Sequence, residues 1–166
     1  MSGCSSHSQT ILAQHVPAES VNPVDATVIP AKTVVSGEAS GEALVSRMPL
    51  SFWGGLDPST GKVIDPRHDL FGQYVTGKVL LFPCGKGSSS SSAVLLEAIR
   101  AGTAPSAIVN VETEPILAIG SIVGRQIYRR WVPIVVISRE DFERVNSGDT
   151  LVLTGSELRV KRGKGN

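Results

Sequence analysis

Cysteine is scarce in this chain, which has two, Cys4 and Cys84, far apart in the sequence. Two distant thiols exclude a disulfide framework and cannot by themselves hold a four-ligand metal site or an iron–sulfur cluster. A reducing, cytoplasmic setting is the expectation. The histidines, His7, His15 and His68, do not stand at metal-ligand spacing to Cys84 or to one another. No segment approaches the roughly 20 apolar residues of a membrane-spanning helix. No apolar stretch precedes Cys4 either, so a lipidated secretory start is not expected. An excess of positive charge is also missing. The formal net charge is +1, whereas a protein held to nucleic acid by phosphate contacts usually carries a concentrated basic face. Arg159, Lys161, Arg162 and Lys164 do cluster at the end, and residues 161–166 read as a solvated basic tail.

What is present is ordinary globular material. A hydrophobic share of 41% and a charged share of 19% over 166 residues fit one compact domain that buries a core without covalent staples. Residues 1–24 are rich in Ser, His, Gln, Pro and Asn without periodicity and read as a flexible extension; the domain is expected over residues 25–160. ATVIPAKTVVSGEASGEALVS, from Ala26, reads as two or three short strands with Gly37 and Gly41 at turns. Ser51 to Gly77 is dense in Gly, Pro and Asp and too long for a mere connector, the kind of loop that carries function.

The second half alternates strand and helix. KVLLFP reads as a strand and SSSAVLLEAIRAG as a helix, with Val94, Leu95, Ala98 and Ile99 on one face and Gly102 as its stop. PSAIVNV is a strand, and EPILAIGSIVGRQIYRR a helix with Pro115 in its first turn. WVPIVVIS is apolar along most of its length, as in a strand covered on both faces. EDFERV is a short helix or turn, and DTLVLTG and ELRVKR are closing strands. The expected class is a mixed α/β domain, a sheet or half-barrel with helices on one side.

Chemistry concentrates at PCGKGSSSSSA, Pro83 to Ala93. A strand feeding a Gly/Ser turn that opens a helix gathers orphan backbone N–H groups and the positive end of the helix dipole, a place suited to an anion. Lys86 adds a mobile positive charge. A low-complexity linker is the competing reading, disfavoured by the strong strand before and helix after. Lys86 is followed by Gly87, so this is not a nucleotide P-loop, and no serine stands in GxSxG spacing. Cys84, at the strand's end, reads as a buried or loop-lining thiol. In VIDPRHDLFG, His68 lies among Asp65, Arg67 and Asp69; it can serve as a base, bind an anion with Arg67, or sit in a solvated loop with local ion pairs. Trp53 reads as an anchoring aromatic under a glycine turn, and Asp57 with Pro58 as turn residues. Glu112 and Glu114 precede the second helix, where acidic groups suit its positive end; a pair this close can also share a proton.

SFWGGLDPSTGKVIDPRH, FPCGKGSSSSSAVLLEAIRAGTAPSAIV and ETEPILAIG, in this order and spacing, together resemble the small, swivel-domain component of the aconitase X family, from about Ala26 to Leu153. The resemblance implies a mobile β/β/α domain of aconitase type, closing over a large catalytic subunit that carries an iron–sulfur cluster or iron, with none bound by this chain alone. Activities in the family are dehydrations, of cis-3-hydroxy-L-proline to a pyrroline-2-carboxylate and of mevalonate 5-phosphate to its anhydro form. The family loop reads Gly-Arg-Gly-Ser with its serine as proton acceptor, which carries onto Gly85, Lys86, Gly87 and Ser88. Lys86 departs from that pattern and lacks arginine's two-pronged fork. A serine must be stabilised as an alkoxide to act as a base, and helix N–H groups and Lys86 are the available means. Ser89 and Ser90, with Arg67 and His68, are the candidates for holding the substrate. Cis-3-hydroxy-L-proline is the expected substrate, because a phosphorylated one would want more basic residues than Lys86 and Arg67. A reading of another class is a stand-alone module that captures a carboxylate or phosphate without turnover.

Overall fold

The structure is a computed structural model that describes residues 26–163; the extension read at residues 1–24 and the last three residues of the basic tail lie outside the described residues. Its first strands are β1 (Thr27–Pro30), β2 (Lys32–Val35) and β3 (Ala39–Val45), followed by a small ribbon of β4 (Leu56–Asp57) and β5 (Lys62–Val63). Then come β6 (Val79–Leu81), α1 (Ser91–Ala101), β7 (Ala107–Asn110), α2 (Pro115–Tyr128), β8 (Ile134–Val136), α3 (Arg139–Arg144), β9 (Thr150–Thr154) and β10 (Glu157–Lys161).

Eight strands form one sheet in the order β1-β10-β9-β3-β6-β7-β8-β2. Strands β3, β6, β7 and β8 are parallel, and the other pairings are antiparallel. The two edge strands, β1 and β2, are consecutive in sequence with only Ala31 between them, so the sheet curls nearly closed. The Ala31 amide donates to the Ser156 carbonyl at 2.8 Å and helps hold that seam.

Side-chain alternation explains why the parallel strands read as unbroken apolar runs. On β6, Val79 and Leu81 enter the interior cluster with Ala107, Val109, Phe142, Leu151 and Leu158. Leu80 between them enters the outer cluster with Ile108, Leu95, Ile99 and Leu117. Each such strand is therefore covered on one face by the curled sheet and on the other by α1 and α2, as parallel strands require. Strands β9 and β10 bury only alternate residues, Leu151, Leu153, Leu158 and Val160. Fully burying one such side chain contributes about 1.5–3 kcal/mol, so the pattern alone selects which face turns inward.

The helices end as their sequence suggests. Gly102 caps α1 in the left-handed region at φ 78°, and α1 buries Val94, Leu95, Ala98 and Ile99. Pro115 opens α2. Gly41 corrects an expectation: it lies inside β3 rather than at a turn, where a Cβ would stand 2.7 Å from the Gly77 carbonyl oxygen. Close backbone approach is what requires glycine there. The basic end is also less free than expected. Arg159 and Lys161 belong to β10, and Arg162 Nη1 donates to Asp149 Oδ2 at 3.1 Å.

Candidate active site

All the loops that matter leave the C-terminal ends of β3, β6 and β7, the end at which parallel sheets habitually bind ligands. The β6 loop, Phe82 to Ser90, is anchored on both sides. Asn110 Nδ2, at the end of β7, donates to the Phe82 carbonyl at 2.8 Å. The Leu50 amide donates to the Cys84 carbonyl, and the Lys86 amide returns a bond to the Leu50 carbonyl, both at 3.2 Å. The Trp53 amide donates to Ser91 Oγ at 3.1 Å. The serine loop and the long loop from Ser51 are thereby held as one unit.

Glycine is demanded twice in the serine loop. Gly87 has φ 91°, a left-handed backbone that side chains rarely adopt, and a Cβ on it would come 2.9 Å from Ser51 Oγ. Gly85 lies against the Glu114 carboxylate so closely that any Cβ would overlap it. The serines have different duties. Ser88 Oγ accepts the Ser90 amide at 3.1 Å, and the Ser91, Ser92 and Ala93 amides are taken by the carbonyls of Ser88, Ser89 and Ser90. Ser90 is the residue before α1, but its hydroxyl makes no cap bond. The first-turn donors of α1 are therefore consumed within the serine run. In this loop the amides that have no acceptor among the described residues are those of Cys84, Gly85, Gly87, Ser88 and Ser89. The open backbone donors lie ahead of the helix itself rather than in its first turn.

Two recesses flank this loop. A cavity of about 80 Å³ is lined by Gly85, Lys86, Gly87, Ser88 and Ser91, by Glu114, and by the apolar walls of Leu50, Phe52, Ile116 and Leu117. A more open groove of about 590 Å³ runs along Ser51, Trp53 and Gly54, Asp65 to Arg67, Lys86 and Gly87. They share Lys86 and Gly87. The Arg67 amide donates to Asp65 Oδ1 at 3.0 Å and, with the charges of Arg67 and Lys86, holds the Asp65 carboxyl below its ordinary value.

Of the residues expected from sequence, Gly85, Lys86, Gly87, Ser88 and Arg67 are brought together around these recesses. Ser89 and Ser90 are adjacent in the chain but line neither. His68 is neither on a recess nor in solvent. Its side chain is fully buried, with Nδ1 accepting the Leu70 amide at 3.2 Å and Nε2 lying 3.3 Å from Ser46 Oγ, which itself donates to Asp69 Oδ1 at 2.6 Å. The expected substrate contact of His68 is thus replaced by a bond network that fixes the loop bearing Arg67. Trp53 likewise departs from expectation: it is 60% exposed, and the buried anchor is its neighbour Phe52, whose ring centroid lies 6.2 Å from that of Phe82. Cys84 is half-buried, and burial, then the charges of Glu112 and Glu114, push its thiol up, offset in part by Arg139.

Ser51, Ser91 and Glu114 also converge here without having stood out as site residues. Glu114 was visible as a helix-start acid, and it does cap α2, its Oε1 accepting the Ile116 amide at 3.2 Å. That role concealed its second position, on the cavity wall beside the serine loop. Among the described residues no group of three or more His, Cys, Asp or Glu side chains could hold a metal ion. An iron–sulfur cluster does not fit the groups present in them. No helix among them is long and apolar enough to cross a membrane.

Residues 28–161 match the family model of the aconitase X swivel domain. The chain is 41% identical over 138 residues to the phosphomevalonate dehydratase small subunit of Methanosarcina mazei, covering 81% of this chain and 92% of that one. It is equally 41% identical over 137 residues to cis-3-hydroxy-L-proline dehydratase of Pseudomonas aeruginosa, covering 82% of this chain but 23% of that longer protein. The fold superposes on aconitase X of Thermococcus kodakaraensis in its holo form with a TM-score of 0.74 at 35% identity, over 82% of this chain and 99% of that one. The chain belongs to the aconitase X swivel-domain family and is a hydro-lyase component of that type.

Proposed function

We propose that this chain is the small subunit of a two-component dehydratase in which Ser88 takes a proton from a small hydroxy acid. One observation carries the reading. Ser88 Oγ accepts the Ser90 amide at 3.1 Å beside Lys86 and at the rim of an 80 Å³ cavity. An amide aimed at a hydroxyl oxygen favours its deprotonated form, and an ammonium nearby does the same. The free amides of Gly87, Ser88 and Ser89 and the Arg67 side chain then hold the substrate's anionic group, with Gly85 and Gly87 letting the backbone approach. Among the described residues no group of side chains fits iron or a cluster, and the reading assigns that group to the large subunit, in a reducing cytoplasmic setting.

Cis-3-hydroxy-L-proline, giving a pyrroline-2-carboxylate, is the first substrate, since a compact amino acid suits the small cavity. Mevalonate 5-phosphate is the second, and a specific arrangement favours it. Arg67 and Lys86, distant in sequence, border one groove, which supplies two cations where one loop lysine would be thin provision for a phosphate. The test is an anaerobic dehydration assay on both compounds, with this chain alone and with its large partner reconstituted with iron. Turnover in the mixture alone supports the subunit reading and selects the substrate. Ligand binding by the chain with no turnover in any verified complex would favour the capture module instead.

A further inference from the structure

Glu114 has one oxygen that capping does not explain. Oε1 takes the Ile116 amide, whereas Oε2 faces Gly85 and receives no hydrogen bond among the described residues. The carboxylate shares the small cavity with Lys86 and Ser88 and is the one carboxylate on its wall. A negative group is a poor neighbour for an incoming carboxylate or phosphate, because like charges repel strongly where water is thin. The groove on the other side of Lys86 and Gly87 carries Arg67. A substrate whose anionic end takes the Arg67 and Lys86 side therefore presents its carbon skeleton to Ser88 on the Glu114 side. A serine that receives a proton while holding its own must pass one on. Lys86 as an ammonium has no acceptor to offer; Glu114 has a free one.

We propose that Glu114, through a water in the cavity of about 80 Å³ that it shares with Ser88, takes up the hydroxyl proton of Ser88 as Ser88 takes the proton of the substrate carbon, an inference that rests on the dehydratase reading. The C–H bond breaks, its proton goes to Ser88 Oγ, and its electron pair becomes the new C=C bond. The C–O bond breaks and hydroxide departs with the C–O bonding pair. The Ser88 hydroxyl proton moves to Glu114 and then to the hydroxide, so the sum is substrate to alkene and water. Glu114 acts through Ser88 and is a positioning residue for the base, not a contact of the substrate.

The experiment compares wild type, Glu114→Gln, Glu114→Asp and Glu114→Ala in the iron-reconstituted complex, on whichever of the two compounds the wild type dehydrates. Glutamine keeps an acceptor for the Ile116 amide and the same shape against Gly85 but cannot take the proton. The expected result for Glu114→Gln is a kcat about 100-fold lower or less, with KM within about twofold and an unchanged Tm. Aspartate, which keeps the carboxylate, should recover at least about tenfold over glutamine. Alanine should lose both kcat and thermal stability. A glutamine variant with kcat within about threefold of wild type would overturn the relay and leave Glu114 a helix cap. If glutamine folds poorly, failure of aspartate to exceed alanine in kcat overturns it equally. A wild-type complex inert toward both compounds overturns the dehydratase reading itself, and the relay with it.

Discussion

Ser88 and Ser89 differ by one position and by everything around them. Ser88 lines the cavity and its oxygen accepts a backbone amide, whereas Ser89 lines neither recess. Ser88→Ala should therefore lower kcat by about 100-fold or more, with the complex still assembling on a sizing column. Ser89→Ala should stay within about threefold, and a larger loss there than at Ser88 would move the base. Cys84 gives a pH test of the same neighbourhood. Its thiol is pushed up by burial and by Glu112 and Glu114. A raised pKa means the fold favours the neutral thiol, so this contribution is complete below the ordinary value of 9.0 and is lost as pH rises past it. As pH rises above 9.0, wild type should lose Tm more steeply than Cys84→Ser, and its thiol should alkylate more slowly than a free cysteine near neutral pH.

Helix α2 shows tertiary packing overruling local propensity. Gly120 lies mid-helix, where alanine is worth about 1 kcal/mol more in isolation. A Cβ there would overlap the Ser92 carbonyl at the start of α1, and separating two packed helices costs about 1–3 kcal/mol. Packing wins, so Gly120→Ala should lower Tm; because Ser92 adjoins the serine loop, it should also lower kcat in the complex. A raised Tm would show that α1 yields without cost. The element boundaries themselves were readable. The apolar spacing of Val94, Leu95, Ala98 and Ile99, with Gly102 and Pro115 as punctuation, marks both helices as they are found. Gly41 misled because a glycine inside a strand and a glycine at a turn look alike until the Gly77 carbonyl is seen pressing on it.

At the scale of the molecule, the long loop leaves unusual apolar surface outside. Trp53, Ile64, Phe71 and Tyr74 are all about half exposed or more, at 60%, 43%, 55% and 54%, and Trp53 borders the groove of the proposed substrate site. Aromatic side chains of this kind dominate binding energy at interfaces. Trp53→Ala and Phe71→Ala should leave the Tm of the free chain nearly unchanged while weakening its Kd for the large subunit by about tenfold or more. Unaltered affinity in both would place the docking face elsewhere.

The order of strands and helices, the glycines and serines of the loop between β6 and α1, and the family itself follow from local pattern and motif, because periodicity, turn chemistry and a distinctive spacing are properties of neighbouring residues. Convergence is not. The sequence contains Glu114 as a helix-start acid, Arg67 as a loop cation and His68 as a histidine among carboxylates. Only the parallel pairing of β3, β6 and β7 carries Glu114 to Gly85, sets Arg67 beside Lys86 and buries His68 on Ser46. Those meetings are set by which strands lie adjacent in the sheet, and strand adjacency is decided by burial summed over the whole chain.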